Sequence, residues 1–311
     1  MQLMSDIISA FGSRIGVGIN PFKKTAYLMR NGSFPGIPME LKVGVKYGEN
    51  EYVLPLCAEG IEFDFTEQEM TPTTLQLTGI DPYTGISVKL TLTSIFRPQD
   101  INFSTTPAII ADVRIKRLKT RFRWRKMNTE VVTGKIFVEF DSKVFDIDQK
   151  EGNLYLNYSY SYERPDETGL HPFIHEIGST DYISVINGKL NNKLIEQDFV
   201  LAPGQYGKNI SFAWCVYEKE ILMIKGIFSD FKYKQNFTLI EEVGNWCKAN
   251  YQKIIQNSKN IDKIICGHNL STDISHLAAQ SIHSWLANTW YTVQKDGQDW
   301  FSVWEGGGYF Q

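Results

Sequence analysis

No apolar run in the 311 residues approaches the ~20 that a membrane-spanning helix requires, so no membrane partner is expected. The N-terminus, Met1-Gln-Leu-Met-Ser-Asp6, lacks the basic region and long apolar stretch of a secretory signal. Cysteine is scarce. Cys57, Cys215, Cys247 and Cys266 stand far apart with no Cys-x-x-Cys pair, which excludes a disulfide scaffold and a zinc knuckle. Each reads as a small buried hydrophobe, and a reducing cytoplasm is the expected location. Excess charge of either sign is missing as well: 32 Lys and Arg against 35 Asp and Glu leave a net charge of −3. No global basic field therefore draws the chain to nucleic acid. Phosphate loop, dinucleotide fingerprint, serine elbow and catalytic-cysteine signature are all absent. Paired histidines and aspartates occur without a third ligand, so neither a metal nor a cofactor is expected.

Aromatic residues are plentiful, with 19 Phe, 15 Tyr and 7 Trp, a supply that suits β-sheets and sites that stack sugar rings. To about residue 230 the apolar pattern has period two, as in Lys42–Tyr47, Ile86–Thr93, Val131–Phe140 and Leu154–Tyr162. Turn clusters at Asp81–Gly85, Gln149–Asn153, Asn187-Gly188 and Pro203-Gly204 separate these segments. Many short strands with closely spaced turns predict a large antiparallel β-sandwich over residues 1–230, with no helix.

Near residue 235 the period changes. Thr238-Leu-Ile-Glu241 has the form of a capping box, and apolar residues then recur at three-to-four spacing from Ile240 to Ile254. A helix is expected over about 238–257, ended by the polar run Asn257-Ser-Lys-Asn260. A second is expected over about 270–291, capped by Asn269 or Ser271, with the stripe Ile274, Leu277/Ala278, Ile282, Trp285 and Thr289. Its other face carries His276, Ala279, His283 and Trp290. Apolar on one side and mixed on the other, it suits the inner layer of an all-helical toroid. The fold expected is thus mainly β: a sandwich, then the first helices of an incomplete (α/α)6 toroid in residues 231–311. Two such helices cannot bury their apolar surface between themselves, so the chain is expected to be the N-terminal portion of a longer protein.

The run Arg114–Lys126 holds eight cations interleaved with Phe122 and Trp124. It reads either as a nucleic-acid stripe or, better against the balanced total charge, as a strand whose solvated edge resists pairing. His276 and His283 are either satisfied core histidines or, inside a toroid, hydrogen-bonding groups for a substrate. Residues 296–311 are the most informative. Asp296, Asp299 and Glu305 are set among Trp300, Phe301, Trp304, Tyr309 and Phe310, and Gly306-Gly-Gly308 follows Glu305 directly. Apolar packing perturbs a carboxyl, indole faces carry sugars, and the glycines leave room for approach. An aromatic hairpin with a glycine-rich turn is the plainer alternative.

Leu286-Ala-Asn-Thr-Trp-Tyr-Thr-Val, Lys295-Asp-Gly and Trp304-Glu-Gly-x-x-Tyr309 together resemble the nucleophile region of retaining β-glycosidases of families 116 and 52. The resemblance implies an N-terminal sandwich ahead of an (α/α)6 barrel. It also implies a metal-free, exo-acting β-glucosidase or β-xylosidase with a carbohydrate substrate. Glu305 would be the catalytic nucleophile, and Trp304, Tyr309 and His283 would bind substrate. The family's Thr-x-Asp element and general-acid aspartate would lie beyond Gln311. Two rivals stand beside it: an inverting hydrolase or phosphorylase of similar architecture, and a non-catalytic carbohydrate-binding or scaffolding sandwich.

Overall fold

A computed structural model describes residues 8–30, 36–119, 130–165, 172–218, 222–224, 227–267 and 271–303. The described chain is mostly β, an antiparallel sandwich followed by a few helices. One sheet has eight strands in the spatial order Asp146–Lys150, Asn153–Pro165, Pro172–Asn187, Ile210–Cys215, Ala108–Arg117, Ile86–Ser94, Thr74–Ile80 and Phe65–Met70. A six-stranded sheet faces it, in the order Lys189–Asn191, Leu194–Leu201, Val132–Phe140, Leu41–Tyr47, Asn50–Val53 and Ile61–Glu62. A four-stranded meander, Ile8–Phe11, Ile15–Asn20, Thr25–Arg30 and Ile37–Met39, closes one side. The turns expected from sequence take left-handed glycines where the chain reverses, among them Gly85 at φ 75° and Gly204 at φ 84°.

Period two explains why the central strands of the eight-stranded sheet are buried on both faces. Ile109, Ala111, Val113, Phe212 and Trp214 point inward to one core with Val43, Ile136, Val17 and Leu28. Their neighbours Ala108, Ile110, Ala213 and Cys215 point outward to a second core. That outer core is completed by Val243, Cys247, Tyr251 and Ile254 of a long helix, Ile240–Cys266.

The helices differ from expectation in instructive ways. A one-turn helix, α1 (Ile101–Ser104), precedes residue 230; Asp100 accepts from the Phe103 amide and Phe103 is buried. The long helix is α2. The carboxylate that reaches back to its start is that of Glu242, which accepts from the Thr238 and Leu239 amides, while Glu241 accepts from the Tyr155 hydroxyl. α2 does not stop at Asn257–Asn260. It runs on to Cys266 because those polar side chains have partners on the sandwich: Asn257 donates to the Phe96 carbonyl, Ser258 bonds Thr73, and Asp262 accepts from Thr71 and Thr73. The second long helix, α3 (Thr272–Asn288), buries Ala279, His283 and Leu286. Its expected core stripe is largely open, with Ile274, Leu277 and Trp285 exposed by 52%, 64% and 38%. α3 meets the sandwich through Ala279, Ile282, His283 and Leu286, with Trp285 edge-on to Phe96, and leaves Ile274 and Leu277 outward.

The basic run is also placed differently. Ala108–Arg117 is an interior strand of the eight-stranded sheet, not an edge. Arg114 and Lys116 point to solvent, whereas Arg117 is buried and donates to the carbonyls of Thr84, Leu201 and Glu130. Residues 120–126 of the run lie outside the described residues.

α2 lies so close to the sheet that a Cβ on Gly244 would fall 2.4 Å from the Tyr182 ring and 2.9 Å from Ser184 Cβ. Gly244→Ala should therefore destabilise the protein. Overpacking of about 1–3 kcal/mol outweighs the ~1 kcal/mol that alanine gains over glycine in a helix. Denaturant unfolding of the variant tests this; a rise in stability would mean that the helix is free to move outward.

Candidate active site

The expected division at residue 230/231 falls at a strand that joins the two ends of the helical segment. Leu222–Ile224, Ile227–Phe231, Thr289–Gln294 and Asp299–Val303 form a fourth sheet, with Phe231 paired to Thr292. The chain leaves the sandwich on one strand, makes α2 and α3, and returns beside the strand it left.

α3 passes directly into the returning strand, with Thr289 extended at φ −105°. The hairpin turns at Gly297 (φ 86°), where the Gln294 amide donates to the Gln298 carbonyl and the Asp296 carboxylate accepts from the Gln298 amide. Asp296 thus has the backbone-capping role that its neighbour Gly297 suggests. Asp299 is engaged too: both its oxygens accept from Lys232 Nζ, at 2.8 and 3.0 Å, and Oδ2 also from the Tyr291 hydroxyl. The return strand ends with Val303 opposite Thr289, beside the C-terminus of α3. Trp285, Tyr291 and Phe301 gather there, with ring centroids 6.0–6.3 Å apart for the Trp285–Phe301 and Tyr291–Phe301 pairs; Phe301 is 55% exposed. Trp304, Glu305 and Tyr309 follow at once and lie outside the described residues.

His283 is described, and both its ring nitrogens have backbone partners. The Phe11 amide donates to Nδ1 at 3.3 Å, so Nε2 carries the proton and donates to the Thr71 carbonyl at 3.0 Å. The ring is 2% exposed. Of its two possible roles this is the geometry of a satisfied core histidine, pinning α3 to the sandwich. His276 lies on the exposed side of the same helix.

Burial lowers the His283 imidazolium to about 4. Protonation would place a charge in the core and turn the Nδ1 acceptor toward an N–H donor. A depressed histidine takes up its proton more readily when unfolded, so its stability contribution is complete above the unfolded value of about 6.5 and is lost as pH falls toward 4. The loss amounts to about 3 kcal/mol. His283→Gln should flatten the pH dependence across this window, measured as denaturant unfolding at pH 7 and pH 4.5 in both proteins. Equal slopes would refute the assignment.

Sequence inspection missed the contact that ties this hairpin to the N-terminus. Arg14, in the turn between Ile8–Phe11 and Ile15–Asn20, is bidentate with Glu218 at 2.8 and 2.9 Å. Its guanidinium carbon lies 4.1 Å from the Phe231 ring centroid and 4.6 Å from that of Trp290. The partners are separated by about two hundred positions or more, so no local pattern signals them. The left-handed Arg14 backbone, at φ 69°, is a conformational trace visible only after folding.

Among the described residues no group of three or more His, Cys, Asp or Glu is placed to hold a metal ion. No described helix is long and apolar enough to cross a membrane.

Residues 195–309 match the family model of glycosyl hydrolase family 52. The match covers just over a third of the chain, from the strand Leu194–Leu201 past Glu305, and relates the chain to the glycoside hydrolases. No curated protein matches it. Among solved structures, the chain is similar to a variant of the GH36 alpha-galactosidase AgaA from Geobacillus stearothermophilus in complex with 1-deoxygalactonojirimycin. The identity is 8% and the TM-score 0.36, over 68% of this chain and 41% of that one. A second variant of that enzyme, in complex with raffinose, is similar at 8% identity and a TM-score of 0.35, over 68% and 40%. The chain thus spans about two-fifths of the length of these relatives.

Proposed function

We propose that this chain is the sandwich and opening helical segment of a retaining β-glycosidase, of β-glucosidase or β-xylosidase type, with Glu305 as nucleophile. The observation that supports this best is the family 52 match, which runs through the hairpin and Glu305. Two features of the fold agree with it. The two described carboxylates of the hairpin, Asp296 and Asp299, are committed to a turn and an ion pair, so neither is a candidate for the nucleophile. The open apolar face of α3 suits a helix that continues into a toroid.

In this reading the Glu305 carboxylate attacks the anomeric carbon and the aglycone departs with a proton from a general acid. Water then hydrolyses the glycosyl ester, with the same acid now acting as base. The two carboxyl groups stand ~5–5.5 Å apart in such enzymes, and the acid is contributed from outside these residues. Trp304 and Tyr309 flank the nucleophile, the indole as a platform for the sugar and the phenol as a hydrogen-bond donor to the carboxylate.

Incubating the full-length protein with a 2-fluoroglycoside and mapping the label by peptide mass spectrometry tests the assignment. A stable glycosyl ester on Glu305 is expected. An inverting hydrolase or phosphorylase would not be trapped, and a binding module would neither be trapped nor turn over an aryl β-glycoside.

A further inference from the structure

We propose that Arg14 is a positioning residue for the catalytic hairpin, clamping its first strand, Thr289–Gln294, against the N-terminal meander. The proposal rests on Glu305 being the nucleophile, but its first readout does not.

Arg14 is held from every side. Its side chain is 5% exposed and that of Glu218 10%, so their bidentate pair is almost wholly withdrawn from water. A planar guanidinium can be bidentate at its edge and stack on rings through its faces at the same time, which an ammonium cannot. Phe231 and Trp290, the two rings it contacts, belong to the departing and returning strands of the fourth sheet, and their centroids lie 6.1 Å apart. One side chain therefore touches both strands that bracket the helical segment. Glu218 is itself fixed, its amide donating to the Tyr233 hydroxyl and its carboxylate lying 3.9 Å from the buried Arg30. A non-glycine residue at φ 69° persists only when its surroundings over-determine it, and these surroundings do.

The returning strand pairs with Ile227–Phe231 over three residues, Ser229 to Phe231, and the turn-side end is tied by the exposed Lys232–Asp299 pair. Near the end where Val303 meets Thr289, Trp290 stacks on Arg14, and the Trp285 ring that touches Phe301 meets Phe96 of the sandwich. Small displacements of a nucleophile cost large factors in rate, because attack requires near-in-line contact with the anomeric carbon.

The test uses the full-length protein with Arg14→Met, which keeps an apolar stem of similar length, and Arg14→Lys, which keeps the charge alone. In both, amide hydrogen exchange of residues 289–303 is expected to accelerate at least tenfold, while Ile86–Ser94 and Ala108–Arg117 stay unchanged. The rate of 2-fluoroglycoside labelling per active site should fall tenfold or more, with KM within about twofold of the parent. Trp290→Leu should reproduce both effects and Trp290→Phe should largely avoid them; this pair also serves if the Arg14 variants fail to fold. Unchanged exchange in residues 289–303 would overturn the proposal. So would activity lost only in proportion to active sites, with the parental rate at each. If the label maps to another carboxylate, the reading of Glu305 fails while the exchange result still decides the clamp.

Discussion

In the full-length protein, Glu305→Ala is expected to lower turnover of an aryl β-glycoside by several orders of magnitude while the fold survives. The sign and size follow from the mechanism. A retaining enzyme needs a carboxylate that is ionised as oxocarbenium-like charge develops and that can form a glycosyl ester, and alanine supplies neither. Neither neighbouring carboxylate is free to substitute, since Asp296 caps its own turn and Asp299 is held by Lys232. Azide should restore part of the activity to the alanine variant and give a product of inverted stereochemistry, because a small anion can occupy the space left by the carboxylate. Glu305→Gln should be as slow and should not be rescued, since the amide still fills that space. Near-normal activity in the alanine variant would overturn the assignment.

Asp181→Asn is expected to be the most damaging single change in the sandwich, costing about 3–5 kcal/mol. Asp181 is fully buried and accepts hydrogen bonds from three side chains: Arg30 Nη1 at 2.6 Å, the Tyr158 hydroxyl at 2.9 Å and the Trp214 indole at 2.7 Å. Burial raises its carboxyl, and these partners oppose that by favouring the charged form. Removing the charge strands the Arg30 guanidinium, 1% exposed, with Glu218 at 3.9 Å as its other carboxylate. Breaking one side of a buried pair is the costly case, whereas replacing both sides by apolar groups is often neutral. Urea unfolding of Asp181→Leu, Arg30→Met and the double variant forms the cycle that checks this, with most of the loss recovered in the double variant. Additive losses would show that the two charges do not depend on each other.

What could be read from sequence was what is local. Strands such as Leu41–Tyr47 and Ile86–Ser94 follow from alternation, and the turns between strands from glycines that the chain does place at positive φ. The start of α2 was legible to within a few residues, but its end was not. Asn257, Ser258 and Asp262 look like solvated loop residues, and only the sandwich edge at Phe96, Thr71 and Thr73 makes them buried helix residues. α3 misled for the opposite reason. Its apolar stripe is real, yet in the described residues the sandwich takes the face with Ala279 and His283. The hairpin before Glu305 was legible as a carboxylate-and-aromatic cluster. Its attachment was not, since Arg14 meets Glu218 across 204 positions.

The fourth sheet carries a consequence for biosynthesis. Phe231 is made sixty-one residues before its partner Thr292, and both long helices lie between them. At ~5–20 residues per second, the departing strand waits several seconds on the ribosome with one edge unpaired. During that interval the sandwich and the docking face for α2 can already form, because they draw on residues before 231. That pairing joins residues far apart in sequence and follows the docking of both helices, so the fourth sheet should be the last part of the molecule to acquire protection. The hairpin Thr289–Val303 is thereby assembled only on a sandwich that has already folded.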